Sequence, residues 1–220
     1  MTSAARHPRW VRIAHALAAV SVLTLAFTGF MILMVHPRLY WGDAGNDLTR
    51  PLVELPISRN YKHGGWDEGI AFFQSSSGPT SASRTYDIFN QNGWGRSLHF
   101  LAAWGFLFTG IVYVAIGISR GHFRAHMWPA ARGHYGLLQR STYAAVVFAA
   151  APLIVATGLT MSPAVTAAVP ALLRLFGGYQ SARTIHFFSF VALALFVIGH
   201  IVMVVRSGFT RQVRAITVGE

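Results

Sequence analysis

The chain has 220 residues, 53 % hydrophobic and 11 % charged, with a mean hydropathy of +0.44. A typical soluble domain carries about 25 % charged residues, so this composition excludes disorder and predicts a membrane protein. The formal charge of +11 comes from 18 Lys and Arg (Lys62 is the one lysine) against seven acids, and the basic residues flank long apolar runs, which reads as positive-inside topology and not as nucleic-acid binding.

A transmembrane helix needs about 20 mostly apolar residues, and four stretches qualify. The first spans about 10–35 and follows Arg6, Arg9 and Arg12. It is longer than a signal-peptide core and no small-x-small cleavage site follows it, which predicts an uncleaved anchor. The connection 37–96 carries six of the seven acids against six basic residues. It also holds Tyr40, Trp41, Tyr61, Trp66, Phe72, Phe73, Tyr86, Trp94 and the run SSSGPTSAS. A connection this long is usually functional or disordered. Its aromatic residues predict a partly ordered cap, either a docking surface for a partner or a lid packed on itself.

The second span covers about 97–118, and a connection with Arg120, Arg124, Arg132 and Arg140 and no acid follows. The third covers about 141–161, where Pro152 predicts a kink. In the connection 162–183, PALLRLFGG predicts a short interfacial helix ended by Gly177-Gly178. The fourth covers about 184–205, and Arg206, Arg211 and Arg214 follow it. The predicted fold is all-α, an integral membrane four-helix bundle in one domain, 1–220. The arginine distribution places both termini and the second connection on the cytoplasmic side, and 37–96 on the other.

With no cysteine, the chain cannot form disulfides, Cys-ligated iron–sulfur clusters, zinc ribbons or a C-x-x-C-H haem attachment. Ten histidines remain as ligands for a metal or haem. An ionisable side chain inside a span is a functional hypothesis by default, and His15, His99, His186 and His200 all lie in spans. His186 and His200 are 14 residues apart, so they return to within about 40° of one helix face, about 21 Å apart along the axis. The alternating direction of the spans sets His15 at the depth of His200, and His99 at the depth of His186. Each pair presents two imidazoles that can hold one haem iron in a bundle core, giving two b-type haems. A proton relay or a metal-ion transporter would want carboxylates, and the spans contain no Asp or Glu.

Arg12, Arg96 and Arg183 each precede one of these histidines by three residues, an R-x-x-H spacing that puts Arg and His on one helix face. Each Arg either pairs with a haem propionate or snorkels to the interface. His36 and His63 lie in the first connection. His122, His126 and His134 lie in the second, where they read as interfacial polar residues; metal binding, or one of them as a proton carrier for quinone, is the functional alternative. Gly29, Gly105, Gly110 and Gly158 would let a porphyrin or a neighbouring helix approach closely. Met31 and Met34 read as packing residues.

The helix-4 His pair, with one His each from helices 1 and 2, resembles the bacterial di-haem cytochrome b membrane subunits. That group includes the b561-type cytochromes, the cytochrome b of nickel–iron hydrogenases and the gamma subunit of formate dehydrogenase. RSLHFLAAWGFLFTGIVYV, GHFRAHMWP, LLQRSTYAAVVF, TGLTMSP and LFGGYQSARTIHF are similar to the thiosulfate reductase cytochrome b subunit, or membrane anchoring protein. The likeness covers most of the chain; Tyr179 departs from it, where a basic residue is expected.

The resemblance implies a bacterial inner-membrane location, two haem b groups, and electron exchange between quinone and a periplasmic, molybdopterin-dependent oxidoreductase partner. His99/His186 and His15/His200 are then the iron ligands. A stand-alone quinone oxidoreductase acting on a small redox molecule such as superoxide is the alternative. A haem-free anchor that only tethers a partner is the third reading.

Overall fold

In a lipid-facing run the backbone polar groups must be satisfied within the run itself, and the helix does this. The computed structural model describes residues 7–46, 48–58, 61–62, 92–127 and 136–219. Arg6, His63, Trp66, Phe72, Phe73, Tyr86, the SSSGPTSAS run, Arg132 and His134 lie outside the described residues.

Three spans are single helices: α1 (Arg9–Val35), α2 (Asn92–Ser119) and α8 (Tyr179–Arg206). The third span is composite, with α4 (Leu137–Ala145), a π-helical turn (Val146–Ala150) and α5 (Ala151–Thr160). Pro152 lacks an N–H, and its ring meets the carbonyl four residues back. That residue, Phe148, lies inside the π turn, so the helix widens where the proline would otherwise clash.

On α1, Ile13, Leu17, Val20 and Leu23 are each more than half exposed, as are Leu195, Ile198 and Val205 on α8. These spacings of three, four and seven residues form apolar stripes that water would not tolerate and lipid would. Four helices are thus long and apolar enough to cross a membrane. The chain is an all-α membrane helix bundle.

The chain divides into two compact units, and all four spans contribute to both. The terminal unit comprises Met1–Val22, Trp104–Val155 and Phe188–Glu220. Here α3 (His122–His126) and α9 (Phe209–Thr217) accompany the spans. Phe123 packs against Tyr113 and Phe148 with ring centroids 5.6 and 5.0 Å away. A side chain at Gly117 would overlap the Phe123 ring.

The loop-bearing unit comprises Leu23–Ala103 and Ala156–Phe187. Its first connection forms an antiparallel pair, β1 (Arg38–Leu39) with β2 (Val53–Glu54), in the register Arg38 to Glu54 and Leu39 to Val53. Pro37, Leu39 and Ser58 are fully buried, and the Ser58 hydroxyl donates to the Met34 carbonyl at 2.6 Å. The described part of this connection is therefore a lid packed on its own unit.

Two short helices, α6 (Pro163–Ala168) and α7 (Ala171–Phe176), lead to α8. As expected, α7 ends at Gly177, whose φ of +71° gives a left-handed cap. The lid then caps α8: the Gly42 carbonyl accepts from Gln180 N (2.9 Å) and Ser181 N (3.2 Å). These are amides that a helix start leaves unpaired. The Ser181 hydroxyl accepts from Gly42 N at 2.7 Å, and the Thr184 hydroxyl donates to the Tyr40 carbonyl at 2.6 Å.

Candidate functional site

The four span histidines come together as two pairs, one in each unit. His99 of α2 and His186 of α8 have ring centroids 6.5 Å apart in the loop-bearing unit, with planes at 62°. His15 of α1 and His200 of α8 have centroids 6.3 Å apart in the terminal unit, with planes at 51°. The depth matching expected from the spans is therefore realised in side-chain contacts within each unit.

The two pairs have different neighbours. The Thr28 hydroxyl oxygen of α1 lies 2.9 Å from His99 Nδ1, and that of Thr157 of α5 lies 3.1 Å from His186 Nδ1. Both threonines are fully buried. The next residue is glycine in each case: a Cβ on Gly29 would lie 3.4 Å from His99 Cε1, and one on Gly158 would lie 3.3 Å from His186 Cε1. Around the other pair, Phe196 stacks on His200 (6.0 Å, 20°) and Tyr143 meets it edge-on at 6.4 Å. His200 Nδ1 is buried and has no hydrogen-bond partner among the described residues.

The three R-x-x-H arginines differ in their contacts. Arg12 donates through Nη2 to the Thr217 carbonyl at the C-terminus of α9, where a cation is favoured; its Nε is buried with no partner among the described residues. Arg183 donates to the His36 carbonyl and, at 3.4 Å, to the Gln180 side chain. Arg96 is exposed.

Three further histidines gather in the terminal unit. His122 and His126 stack at 4.4 Å, and His126 Nδ1–H donates to the His122 carbonyl at 3.0 Å. Trp10 meets the His122 ring edge-on at 5.1 Å, and Tyr113 does so at 6.3 Å. Burial lowers the pKa of His122 from its usual 6.5, and the neighbouring His126 and His7 lower it further. Burial and then His126 lower that of His7.

Three buried polar residues carry more than the sequence reading gave them. Arg140 of α4 is buried, although its place in the arginine-rich second connection predicts an interface charge. Thr28 and Thr157 leave one signal in the sequence, a Thr-Gly dipeptide in each span preceding an R-x-x-H span.

The fold is a membrane helix bundle that brings four span histidines into two pairs. Residues 6–219 match the family model of prokaryotic cytochrome b561, and the chain belongs to that family. Its members bind haem b, so the chain is a multi-pass, haem-containing membrane protein of electron transfer. It is 29 % identical to the "Putative protein-methionine-sulfoxide reductase subunit YedZ1" of Azospira oryzae, over 90 % of this chain and 89 % of that protein. No solved structure matches the chain.

Proposed function

We propose that the chain holds two haem b groups, one between His99 and His186 and one between His15 and His200, and carries electrons between quinone and a periplasmic oxidoreductase. The observation that carries this reading is the spacing of the two pairs, 6.5 and 6.3 Å between ring centroids. Two imidazole–metal bonds of about 2 Å, plus roughly 1.1 Å from nitrogen to ring centre at each end, give about 6.2 Å.

The donor set fits as well. Among the described residues no group of three or more His, Asp or Glu is arranged to hold a bare metal ion. Two imidazoles suffice for an iron whose other four positions a porphyrin fills. Bound haem supplies the one-electron chemistry; the chain supplies ligands, burial and polar partners. Arg12 Nε, a buried donor with no partner among the described residues, suits a propionate. Arg96 and Arg183 are assigned the same role on their R-x-x-H spacing.

Quinone chemistry needs protons as well as electrons. His7 precedes α1, and His122 and His126 form the two ends of α3, so protonatable groups stand at helix ends of the terminal unit. The arginine distribution puts these ends and both termini in the cytoplasm of a bacterial inner membrane. The Azospira relative is named as a reductase subunit, which favours a partner oxidoreductase here. The molybdopterin dependence of that partner rests on the sequence resemblance.

The test is a pyridine haemochrome assay with a reduced-minus-oxidised spectrum on the purified chain, His99→Ala and His15→Ala. Two haems per chain, with one lost from each variant, is the expected result. A wild-type chain with one haem or none overturns the di-haem reading.

A further inference from the structure

We propose that Thr28 and Thr157 are positioning residues for the imidazoles of His99 and His186: each hydroxyl accepts the Nδ1–H of its histidine, which leaves Nε2 bare and more basic. This rests on the reading that His99 and His186 hold a haem iron.

The proton assignment follows from counting hydrogens. A threonine hydroxyl has one hydrogen and two lone pairs. Thr28 Oγ1 lies 2.7 Å from the Thr24 carbonyl, one turn back on α1. Two acceptors would repel at that distance, so the hydroxyl hydrogen points at Thr24. The same oxygen lies 2.9 Å from His99 Nδ1, and only a lone pair is left to face it. The ring nitrogen is therefore the donor. A neutral imidazole carries one N–H, so Nε2 keeps its lone pair, the form an iron ligand needs.

The threonine–histidine contact occurs twice, on two helices. Thr157 Oγ1 repeats the contact with His186 Nδ1 at 3.1 Å. Each following glycine clears the ring edge at Cε1, the carbon between the two nitrogens. The Thr-Gly dipeptide thus holds one nitrogen of the ring and leaves room beside it. A threonine in a membrane helix commonly bonds back to its own helix, which accounts for the Thr24 contact alone. It does not account for two buried hydroxyls meeting two Nδ1 atoms, each with glycine next in sequence.

A hydrogen bond from Nδ1–H raises the basicity of a ligating histidine and fixes its plane. A more basic ligand favours the ferric state, so removing the acceptor raises the reduction potential of that haem. The test uses the purified full chain with Thr28→Val, Thr157→Val and Thr28→Ser, followed by optical redox titration, low-temperature EPR of the ferric state and haem stoichiometry. The haem assigned to this pair is the one missing from His99→Ala.

Each valine variant is expected to raise the midpoint of that same haem by several-fold in its reduction equilibrium and to move its EPR g-values. Its haem affinity should fall about tenfold, the lower end for losing such a partner. The other haem should stay at its wild-type midpoint, and Thr28→Ser should restore the first. Thr28→Ala replaces the valine variant if that does not accumulate. A chain that binds two haems, with midpoints and g-values indifferent to all these changes, overturns this proposal alone. A wild-type chain without haem overturns it together with the reading beneath it.

Discussion

The His99–His186 pair and the His15–His200 pair use the same two side chains at nearly the same spacing, yet the chain surrounds them differently. Around the first, buried hydroxyls face both Nδ1 atoms and glycines clear both ring edges. Around the second, Phe196 and Tyr143 pack on His200 and its Nδ1 has no partner among the described residues. A b-type haem's potential depends on burial and on hydrogen bonds to its ligands. On the proposed reading, two pairs with identical donors would hold their haems at separate potentials.

The strongest way to break this contrast is through the lid, which belongs to one unit only. Gly178 has φ +108°, and a Cβ there would overlap the Gly42 carbonyl group and the Asp43 side chain. Gly178→Ala combines a left-handed backbone penalty with overpacking, about 3 kcal/mol together. We expect it to detach Gly42 from the start of α8, speed proteolysis within 37–62, and reduce occupancy of the haem held by His99 and His186. The other haem should keep its spectrum. Equal loss of both haems would show that the lid supports the whole bundle and not one pair.

A smaller effect comes from the glycines themselves. Gly158→Ala puts a methyl 3.3 Å from His186 Cε1, so the ring must shift by a few tenths of an ångström. Gly110 has nothing within 4 Å of its Cβ position, so Gly110→Ala should be neutral or stabilising by up to about 1 kcal/mol. The expected outcome is a changed EPR signal for one haem in Gly158→Ala and none in Gly110→Ala. An unchanged signal in both would mean that the ring clearance does not constrain the ligand.

The parts that were legible in the sequence are those fixed by long-range physical demands. Lipid requires long apolar helices, so the spans were readable from composition. Span direction then matches residues by depth, so His15 could be set against His200, and His99 against His186. Gly177-Gly178 was readable as a helix stop because few residues adopt positive φ. The missed features depend on packing. Thr28 looks like any threonine in a membrane helix, because its bond to Thr24 satisfies it without a partner. The Pro152 kink was placed at the proline, whereas the helix answers it with a π turn at Val146–Ala150. Strands of two residues leave no alternation to detect, so β1 and β2 were invisible. The tail after Arg206 shows only charge in the sequence; in α9, Arg211 is exposed while Ala215 is buried, and Arg12 holds the helix end.

The finest distinction between the units is their response to pH, because His7, His122 and His126 gather in the terminal unit. His122 faces His7, Tyr113 and His126, and its folded-state pKa lies below 6.5 through burial and then its histidine neighbours. The unfolded chain therefore binds the proton more readily in the window below about pH 6.5. Stability from this cluster is fully present above that value and is lost as pH falls through the folded-state pKa. His7 shifts in the same direction, so the two losses coincide. Hydrogen exchange at pH 7.5 and 5.5, corrected for intrinsic rates, should show α3 losing protection at the lower pH while the amides of 37–58 keep theirs. His122→Gln should flatten the α3 response. Equal loss of protection in both regions would assign the acid sensitivity to the bundle as a whole and not to this cluster.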